Sequence, residues 1–488
     1  MRCPHCKLEI PIGQQFCGGC GKRVTVGFDH IQDSVLSDAA DRRAQLAEKI
    51  LLNVIGGLIV LWVGVKLYND YYLTTDFPAS KDISVSFTAP KPKIRAENRL
   101  DLGVKADSLE MPRVGTVGAQ GMSWRREPFR TRLLREECSS EEADAVRAAI
   151  ERALAYIAKN QHSDGSWYVG RNEGGSASHD GWGRTGVSGL ALLALMGDGH
   201  TWIAVPDERG KMVAGKYAGI VKKGVNYLTA SQVLKGQDVG LVGPKKGHFM
   251  YNQGFAAAAL SEAYALSGDP YVGRAAQKAV NYIISAQQKS GGWDYWEKPS
   301  VRADTSVTCC QLMALYAAHA AGIKVPGQVF EGGLRWIDSV TDPKTFNVGY
   351  DKRWELKEEN QRFGTTAMGL ALQLYLGRSP STESVRRQSK RLLAFKLPDY
   401  DRKWKKSQKA AALDYYYIYH GSMAFHRLGG EDWKKWNKAA VKTLTASQIR
   451  RGTASGTWPL YDPHSKLGGR IFSTSTAVLT LQVYYRYP

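Results

Sequence analysis

Two kinds of apolar pattern alternate along the chain from about residue 138 to residue 488. The first is an amphipathic helix that ends in glutamine. Its clearest copies are Leu154–Gln161, Val225–Gln232, Val280–Gln287 and Val441–Gln448. Weaker copies surround Trp336 and Leu392, and successive copies lie roughly 50 to 56 residues apart, except where an insertion near 198–216 lengthens one step. This period predicts a repeat architecture.

The second pattern is a helix that is apolar on nearly all sides and starts with hydroxyl residues. Its copies are Thr185–Leu195, Thr305–Leu315, Thr365–Leu372 and Thr474–Leu481, with two further members at Phe255–Leu266 and Ala411–Leu428. Serine and threonine side chains accept hydrogen bonds from free amides at a helix start, so we expect the leading residues to be N-caps.

Six helices of one type that alternate with six of another predict two concentric rings, the more apolar helices forming the inner one. We therefore predict a mainly α fold, an (α/α)6 toroid over residues 138–488. Every inner helix then starts at the same end, and the partial positive charges of six helix N-termini converge on one mouth.

The N-terminal region predicts different elements. Residues 50–68 are apolar around the whole helix circumference, which predicts a transmembrane helix, with a buried helix of a soluble domain as the alternative. A polar juxtamembrane segment at 25–49 precedes it, and a proline-containing linker at 69–132 follows. We expect a single-pass membrane protein with a cytoplasmic N-terminus and an extracytoplasmic toroid.

The first 24 residues carry two Cys-x-x-Cys pairs, Cys3 with Cys6 and Cys17 with Cys20. Two such pairs predict a zinc ribbon in which four thiolates hold one structural Zn²⁺, and two disulfides or a redox pair are the alternatives. Thiolates need a reducing compartment, which also places this end in the cytoplasm, where the ribbon could bind a protein partner.

Composition and charge narrow the partners. Hydrophobic residues make up 43% of the chain and charged residues 23%, as in globular proteins. The formal net charge is +20, and basic residues are densest from Arg386 to Lys409. No nucleic-acid motif accompanies this charge, so we expect a solvated basic face or a polyanion-facing patch instead of a nucleic-acid site.

The links after the first helix type carry a shared motif. Gln161 to Trp167, Gln287 to Trp293 and a longer version from Gln448 to Trp458 resemble the Gln-x-x-x-Gly-x-Trp motifs of squalene and hopene cyclases. The resemblance covers roughly residues 140–488 and extends to the terpenoid-cyclase and protein prenyltransferase superfamily, with uncharacterised bacterial cyclase-like proteins close to it. It implies that Gln and Trp tie helix ends together.

The catalytic motifs of that superfamily are incomplete. The acid motif of the cyclases would fall on residues 301–305, where only Asp304 keeps a carboxylate and Ala303 stands at the position of the proton donor. Val307 stands where a prenyltransferase would place its zinc-binding histidine, and the thioester sequence is absent. The neighbouring Cys309 and Cys310 are expected to be small packing residues.

Polar residues at or near the starts of inner helices are the candidate ligand-binding site. They are His179, Asp180, Arg184, Asp304, Gln361, Arg362, Asp414, Tyr415, Tyr416, Tyr419 and His420. Asp180 and Asp304 are the candidate acid–base pair, although a carboxylate at a helix start also serves as an ordinary cap.

Three functions fit this sequence. We expect a membrane-anchored binding protein whose toroid mouth takes a lipid, glycan or polypeptide without catalysis. The alternatives are an isoprenoid-acting cyclase or transferase, and a carboxylate-based glycan-acting enzyme.

Overall fold

The computed structural model describes residues 125–168, 183–206, 212–297, 302–351, 363–395, 397–401, 403 and 413–486. These residues belong to one compact unit of the chain. The predicted zinc ribbon, juxtamembrane segment and span lie outside them and stay predictions. In the part that is described, no helix has the length and apolar character needed to cross a membrane.

The described chain is almost entirely helical. Its helices are α1 Phe129–Glu137, α2 Ser140–Lys159, α3 Arg184–Gly197, α4 Ala218–Ala230, α5 Phe249–Ser267, α6 Pro270–Ser285, α7 Thr305–Ala320, α8 Gly327–Val340, α9 Phe363–Tyr375, α10 Glu383–Phe395, α11 Tyr415–Leu428, α12 Gly430–Ser447, α13 Pro463–Leu481 and α14 Val483–Arg486. A two-stranded antiparallel ribbon, β1 Val205–Pro206 and β2 Met212–Val213, belongs to the predicted insertion.

The six odd-numbered helices from α3 to α13 form a closed inner ring. Each packs on the next, and α13 returns to α3. The six even-numbered helices from α2 to α12 lie outside them. α5 is buried along nearly its whole length, whereas α6 buries only its apolar stripe. The predicted (α/α)6 toroid is thus the fold of the described chain.

Glutamines tie neighbouring outer helices together. The Gln161 side chain, at the end of α2, donates to the Ile220 carbonyl of α4 at 2.9 Å, and Gln287, after α6, donates to the Val329 carbonyl of α8 at 2.9 Å. Gln448, after the last outer helix, donates to the Ala149 carbonyl of α2 at 2.9 Å. This last bond closes the ring, so one repeated amide joins the two ends of the domain.

Tryptophans tie each link to the helix before it. Trp167, Trp293 and Trp458 are fully buried, and their indole N–H groups donate to Ile157, Ile283 and Leu444 carbonyls at 2.7, 2.7 and 2.9 Å. These carbonyls belong to the last turns of outer helices, which lack intrahelical donors. The structural role implied for Gln and Trp is confirmed by these contacts.

The prediction that leading Ser and Thr residues are N-caps was wrong. Aspartates cap three inner helices, while Thr305 and Thr365 already lie within their helices and donate to the Gly349 and Val348 carbonyls of the link between α8 and α9. Thr474 lies in the middle of α13. In α7 and α9 the leading hydroxyl marks where the inner helix meets a link, because a hydroxyl can donate to a link carbonyl that has no partner in its own strand or helix.

A buried charge cluster fills the end opposite the mouth. Both Arg125 and Arg486 pair with Glu262 of α5, at 2.7 and 2.6 Å, and all three side chains are almost fully excluded from solvent. Arg486 also donates to the Leu193 carbonyl near the end of α3. The carboxyl ends of six inner helices converge here, and cations stabilise such ends. The tether predicted to reach residue 132 therefore gives way to packed structure by Arg125.

Candidate functional site

The mouth of the toroid is built from the links that enter the inner helices. Three of these helices begin with an aspartate whose side chain caps free backbone amides: Asp304 at α7, Asp414 at α11 and Asp462 at α13. All three therefore place a carboxyl group at the same end of the ring, but their surroundings differ.

Asp304 is fully buried, and both of its carboxylate oxygens are engaged. One oxygen accepts from the amides of Ser306 and Val307 at 2.8 and 3.0 Å and from the Ser306 hydroxyl at 2.5 Å. The other accepts from the Tyr295 hydroxyl at 3.1 Å. Tyr350 hydrogen-bonds with Tyr295 and also interacts with Asp304. Asp304 is thus the centre of a hydrogen-bond network with fixed geometry.

Burial, and then the charge of Asp304, raises the pKa of the Tyr295 phenol, and the same two causes raise that of Tyr350. The two phenols stay protonated and can donate hydrogen bonds at neutral pH. A cation completes the cluster: Arg302 lies 3.1 Å from Asp294, 3.8 Å from Asp304 and 3.7 Å from Asp351. The cluster combines fixed donors, acceptors and an ion pair.

A row of aromatic rings extends from this cluster toward solvent. His248 stacks on Tyr295 with ring centroids 4.0 Å apart, and Trp296 packs edge-on against both rings at 6.1 and 5.7 Å. Trp296 is 48% exposed although it is a large hydrophobic residue. An exposed aromatic ring supported by other rings is a preformed stacking surface.

Aromatic and polar side chains occupy the axis below the mouth. Tyr416 stacks on His420, Tyr419 packs against the same imidazole, and the Cys309 thiol lies 3.7 Å from its Nδ1. Burial lowers the pKa of His420 to about 3 and raises that of the Cys309 thiol, so both are neutral. Cys309 packs as expected, and a neutral thiol is a poor nucleophile.

Asp462 is 3% exposed and has one oxygen without a hydrogen-bond partner in the described chain. Its other oxygen accepts from the His464 and Ser465 amides at 2.9 and 3.0 Å. Burial, with a further contribution from Asp414, raises its pKa. The start of α13 therefore carries a carboxyl group that binds a proton more readily than an exposed aspartate.

The predicted site residues have different positions. Asp304 lies at the mouth, and Tyr416, Tyr419 and His420 lie on the axis below it. Arg184 binds Asp164 at 2.8 Å within its own link, and Tyr415 donates to the Pro459 carbonyl at 2.6 Å, so both hold links in place. Four predicted residues lie outside the described chain: His179, Asp180, Gln361 and Arg362.

The sequence analysis missed residues that the links bring to the mouth. They are His248, Tyr295, Trp296, Arg302, Tyr350 and Asp462. One signal was present for Asp462, because an aspartate directly before proline is typical of a helix start. Another was present for Tyr295 and Trp296, which follow the motif tryptophan Trp293 by two and three positions.

Among the described ranges, no group of three or more His, Cys, Asp or Glu side chains is arranged to hold a metal ion. The four cysteines of the predicted zinc ribbon lie outside these ranges, so the structural Zn²⁺ stays a prediction.

Comparison with known proteins gives structural similarities only. No family model matches the chain, and no curated protein matches its sequence. The chain is similar to an inactive variant of an α-1,6-mannanase of Salegentibacter sp. HEL1_6 bound to α-1,6-mannotetrose, with 8% identity and a TM-score of 0.48 over 70% of this chain and 99% of that one.

Two other solved structures have comparable similarity. A type II terpene cyclase from Scytonema, in complex with geranylgeranyl dihydroxybenzoate, has 13% identity and a TM-score of 0.44 over 72% of this chain and 100% of that one. Rex8A from Paenibacillus barcinonensis, complexed with xylose, has 12% identity and a TM-score of 0.42 over 73% and 96%.

Proposed function

We propose that the mouth of this toroid binds a glycan. The observation that carries the proposal is the exposed Trp296 ring, supported by Tyr295 and His248 and adjoining the buried Asp304 network. A sugar ring has an apolar face and a rim of hydroxyl groups. An aromatic surface next to fixed donors and acceptors matches both, as binding sites with a few convergent polar groups do.

The axis supports a glycan over an isoprenoid. A cyclised isoprenoid needs an apolar cavity, whereas Tyr416, Tyr419 and His420 fill the axis with polar aromatic side chains. Ala303, at the position of the cyclase proton donor, has no acidic group. The isoprenoid-acting reading is the weaker alternative on these grounds.

Catalysis on the bound glycan is the second candidate function, because Asp462 favours it. Glycan-cleaving enzymes pair a carboxyl group of raised pKa, which donates a proton, with a second carboxylate. Burial and Asp414 give Asp462 a raised pKa, and one of its oxygens is uncommitted. Asp304 fits the role of proton donor less well, because one of its oxygens already accepts a hydrogen bond from Ser306 and the other accepts one from Tyr295.

The experiment is a binding assay of the purified full-length chain with immobilised oligosaccharides, including α-1,6-mannan, xylan, amylose and galacturonan fragments. We expect at least one oligosaccharide to bind. Trp296→Ala should weaken that binding about tenfold, because the variant lacks a stacked ring at the binding surface. The matched control is Tyr271→Ala, which removes a 57% exposed ring at the start of α6, on the opposite end of the toroid. Equal effects of the two variants, or no binding to any oligosaccharide, would contradict the proposal.

A further inference from the structure

One side of the outer ring is basic. α10 contains four basic residues and one acidic residue, and α12 contains four basic and two acidic residues. The helices that flank this pair in the ring, α8 and α2, each contain one more acidic than basic residue. We call the exposed cations of α10 and α12, with the link after α12, the basic face. They are Arg386, Arg387, Lys390, Lys434, Lys435, Lys438, Lys442, Arg450 and Arg451.

The cations of the basic face repel one another. Lys434, Lys438 and Lys442 are spaced four residues apart on one side of α12, and Arg386 and Lys390 are spaced in the same way on α10. Like charges at this spacing destabilise a helix. The acidic residues stand in the first turns, where they complement the helix dipole, and Glu383 pairs with Arg387 at 3.4 Å and Glu431 with Lys434 at 2.6 Å. Within the described part of the chain, the cations Arg386, Lys390, Lys438 and Lys442 of these two helices form no ion pair. A bound anion would remove this repulsion.

The basic face leads to the mouth. Outer helices run toward the mouth, so Lys442 lies nearer to it than Lys434, and Arg450 and Arg451 are exposed in the link that enters α13. An extended polymer bound along α12 would therefore reach the rim of the proposed glycan site.

The other wall of the mouth limits the charge density of that polymer. Asp294, Asp304 and Asp351 surround Arg302, and Glu297, which follows Trp296, pairs with Lys245 at 2.6 Å. Among these described side chains four are acidic and two are basic, and an anionic group placed beside them is repelled by the excess negative charge. A polyphosphate, with one charge per unit, would meet repulsion beside Trp296, whereas neutral sugar units would not.

We infer that the ligand of this toroid is an acidic glycan whose anionic groups bind the basic face while uncharged, hydroxyl-bearing units occupy the mouth. The inference rests on the proposed glycan site for the identity of the polymer. It specifies the class of glycan. It also gives the basic face, which the proposed function does not use, a role in binding the same ligand.

The test uses the full-length chain and compares partially methyl-esterified polygalacturonan, which carries both charged and uncharged units, with its fully methyl-esterified, uncharged form. We expect the acidic polymer to bind about tenfold more tightly or better at low salt and to lose this advantage as salt is added, because salt screens exposed charges. The double variant Lys438→Glu/Lys442→Glu should weaken binding of the acidic polymer by about tenfold or more. Lys222→Glu/Lys223→Glu, an equal change of net charge at two exposed lysines of α4, should leave it within about twofold.

Three results would overturn the inference: equal losses from the two double variants, no binding of the acidic polymer, or tighter binding of duplex DNA or of phosphatidylglycerol vesicles than of the polymer. The failure of the proposed function is recognised separately. If Trp296→Ala leaves binding of every polymer unchanged while Lys438→Glu/Lys442→Glu weakens it, the basic face binds the polymer and the mouth does not.

Discussion

Four glycines, three in the Gln-to-Trp motifs and one in the link after α4, should be the least replaceable positions of the links. Gly165, Gly240, Gly291 and Gly456 have φ values of +89°, +97°, +91° and +92°, in the left-handed region. In each case a Cβ atom would lie between 2.1 and 2.4 Å from a backbone carbonyl oxygen of the next outer helix. Each link thus touches the neighbouring repeat at a point where there is no room for a side chain.

Gly291→Ala combines two costs. A left-handed conformation costs a residue with a side chain about 1–2 kcal/mol. The added methyl group would also stand 2.1 Å from the Gly332 oxygen of α8, so that helix must move, and overpacking of this kind costs about 1–3 kcal/mol more. We expect a total loss of about 2–5 kcal/mol in the free energy of unfolding.

Gly236→Ala is the control for the backbone cost alone. Gly236 has a φ of +84°, and a Cβ there would have nothing within 4 Å. The Gly236→Ala variant should therefore lose about 1–2 kcal/mol in the free energy of unfolding. Denaturant unfolding followed by tryptophan fluorescence is a suitable assay, because the buried Trp293 lies two residues after Gly291. Equal losses for the two variants would refute the claim that close approach of the repeats, and not only the backbone conformation, requires glycine.

Two further changes test the charged interior. Glu262→Leu should cost about 3–5 kcal/mol, because it removes the carboxylate that pairs with the buried Arg125 and Arg486, and calorimetry should show a lower Tm; an unchanged Tm would contradict the pairing. Asp462 has a folded-state pKa above its unfolded value, so the native chain loses stability as pH rises between the two values and stays at the lower level above them. Asp462→Asn keeps an N-capping side chain without the charge, so its stability relative to the native chain should increase as pH rises from about 4 to 7. The measurement is the Tm of both proteins across that range, and Tm curves that stay parallel would contradict a raised pKa of Asp462.

The fold was predictable because it repeats. The helix types, their alternation and the Gln-to-Trp links recur with one period, and a pattern present several times is hard to mistake. Gln161, Gln287 and Gln448 even carry the same hydrogen bond in the structure. The helix caps were harder to predict from local sequence. The leading threonines suggested caps, but aspartates cap three of the inner helices. A threonine inside a helix can equally donate a hydrogen bond to a link carbonyl.

The candidate site was only partly predictable, because it lies where the repeats differ. Asp304, Tyr416, Tyr419 and His420 could be named as candidates from their positions at inner-helix starts. His248, Tyr295, Trp296 and Tyr350 come from three separate links, and nothing in their local sequence relates them.

The sequence by itself determined the two rings, the shared direction of the inner helices and hence the existence of one mouth, because helix periodicity and burial are properties of each segment. Only the tertiary structure decided which side chains meet there. Asp304 gains the phenols of Tyr295 and Tyr350, and Glu262 gains its two arginines, from distant parts of the chain. Closing a ring brings these groups within hydrogen-bond distance in space, and distance in space is not encoded in any local pattern.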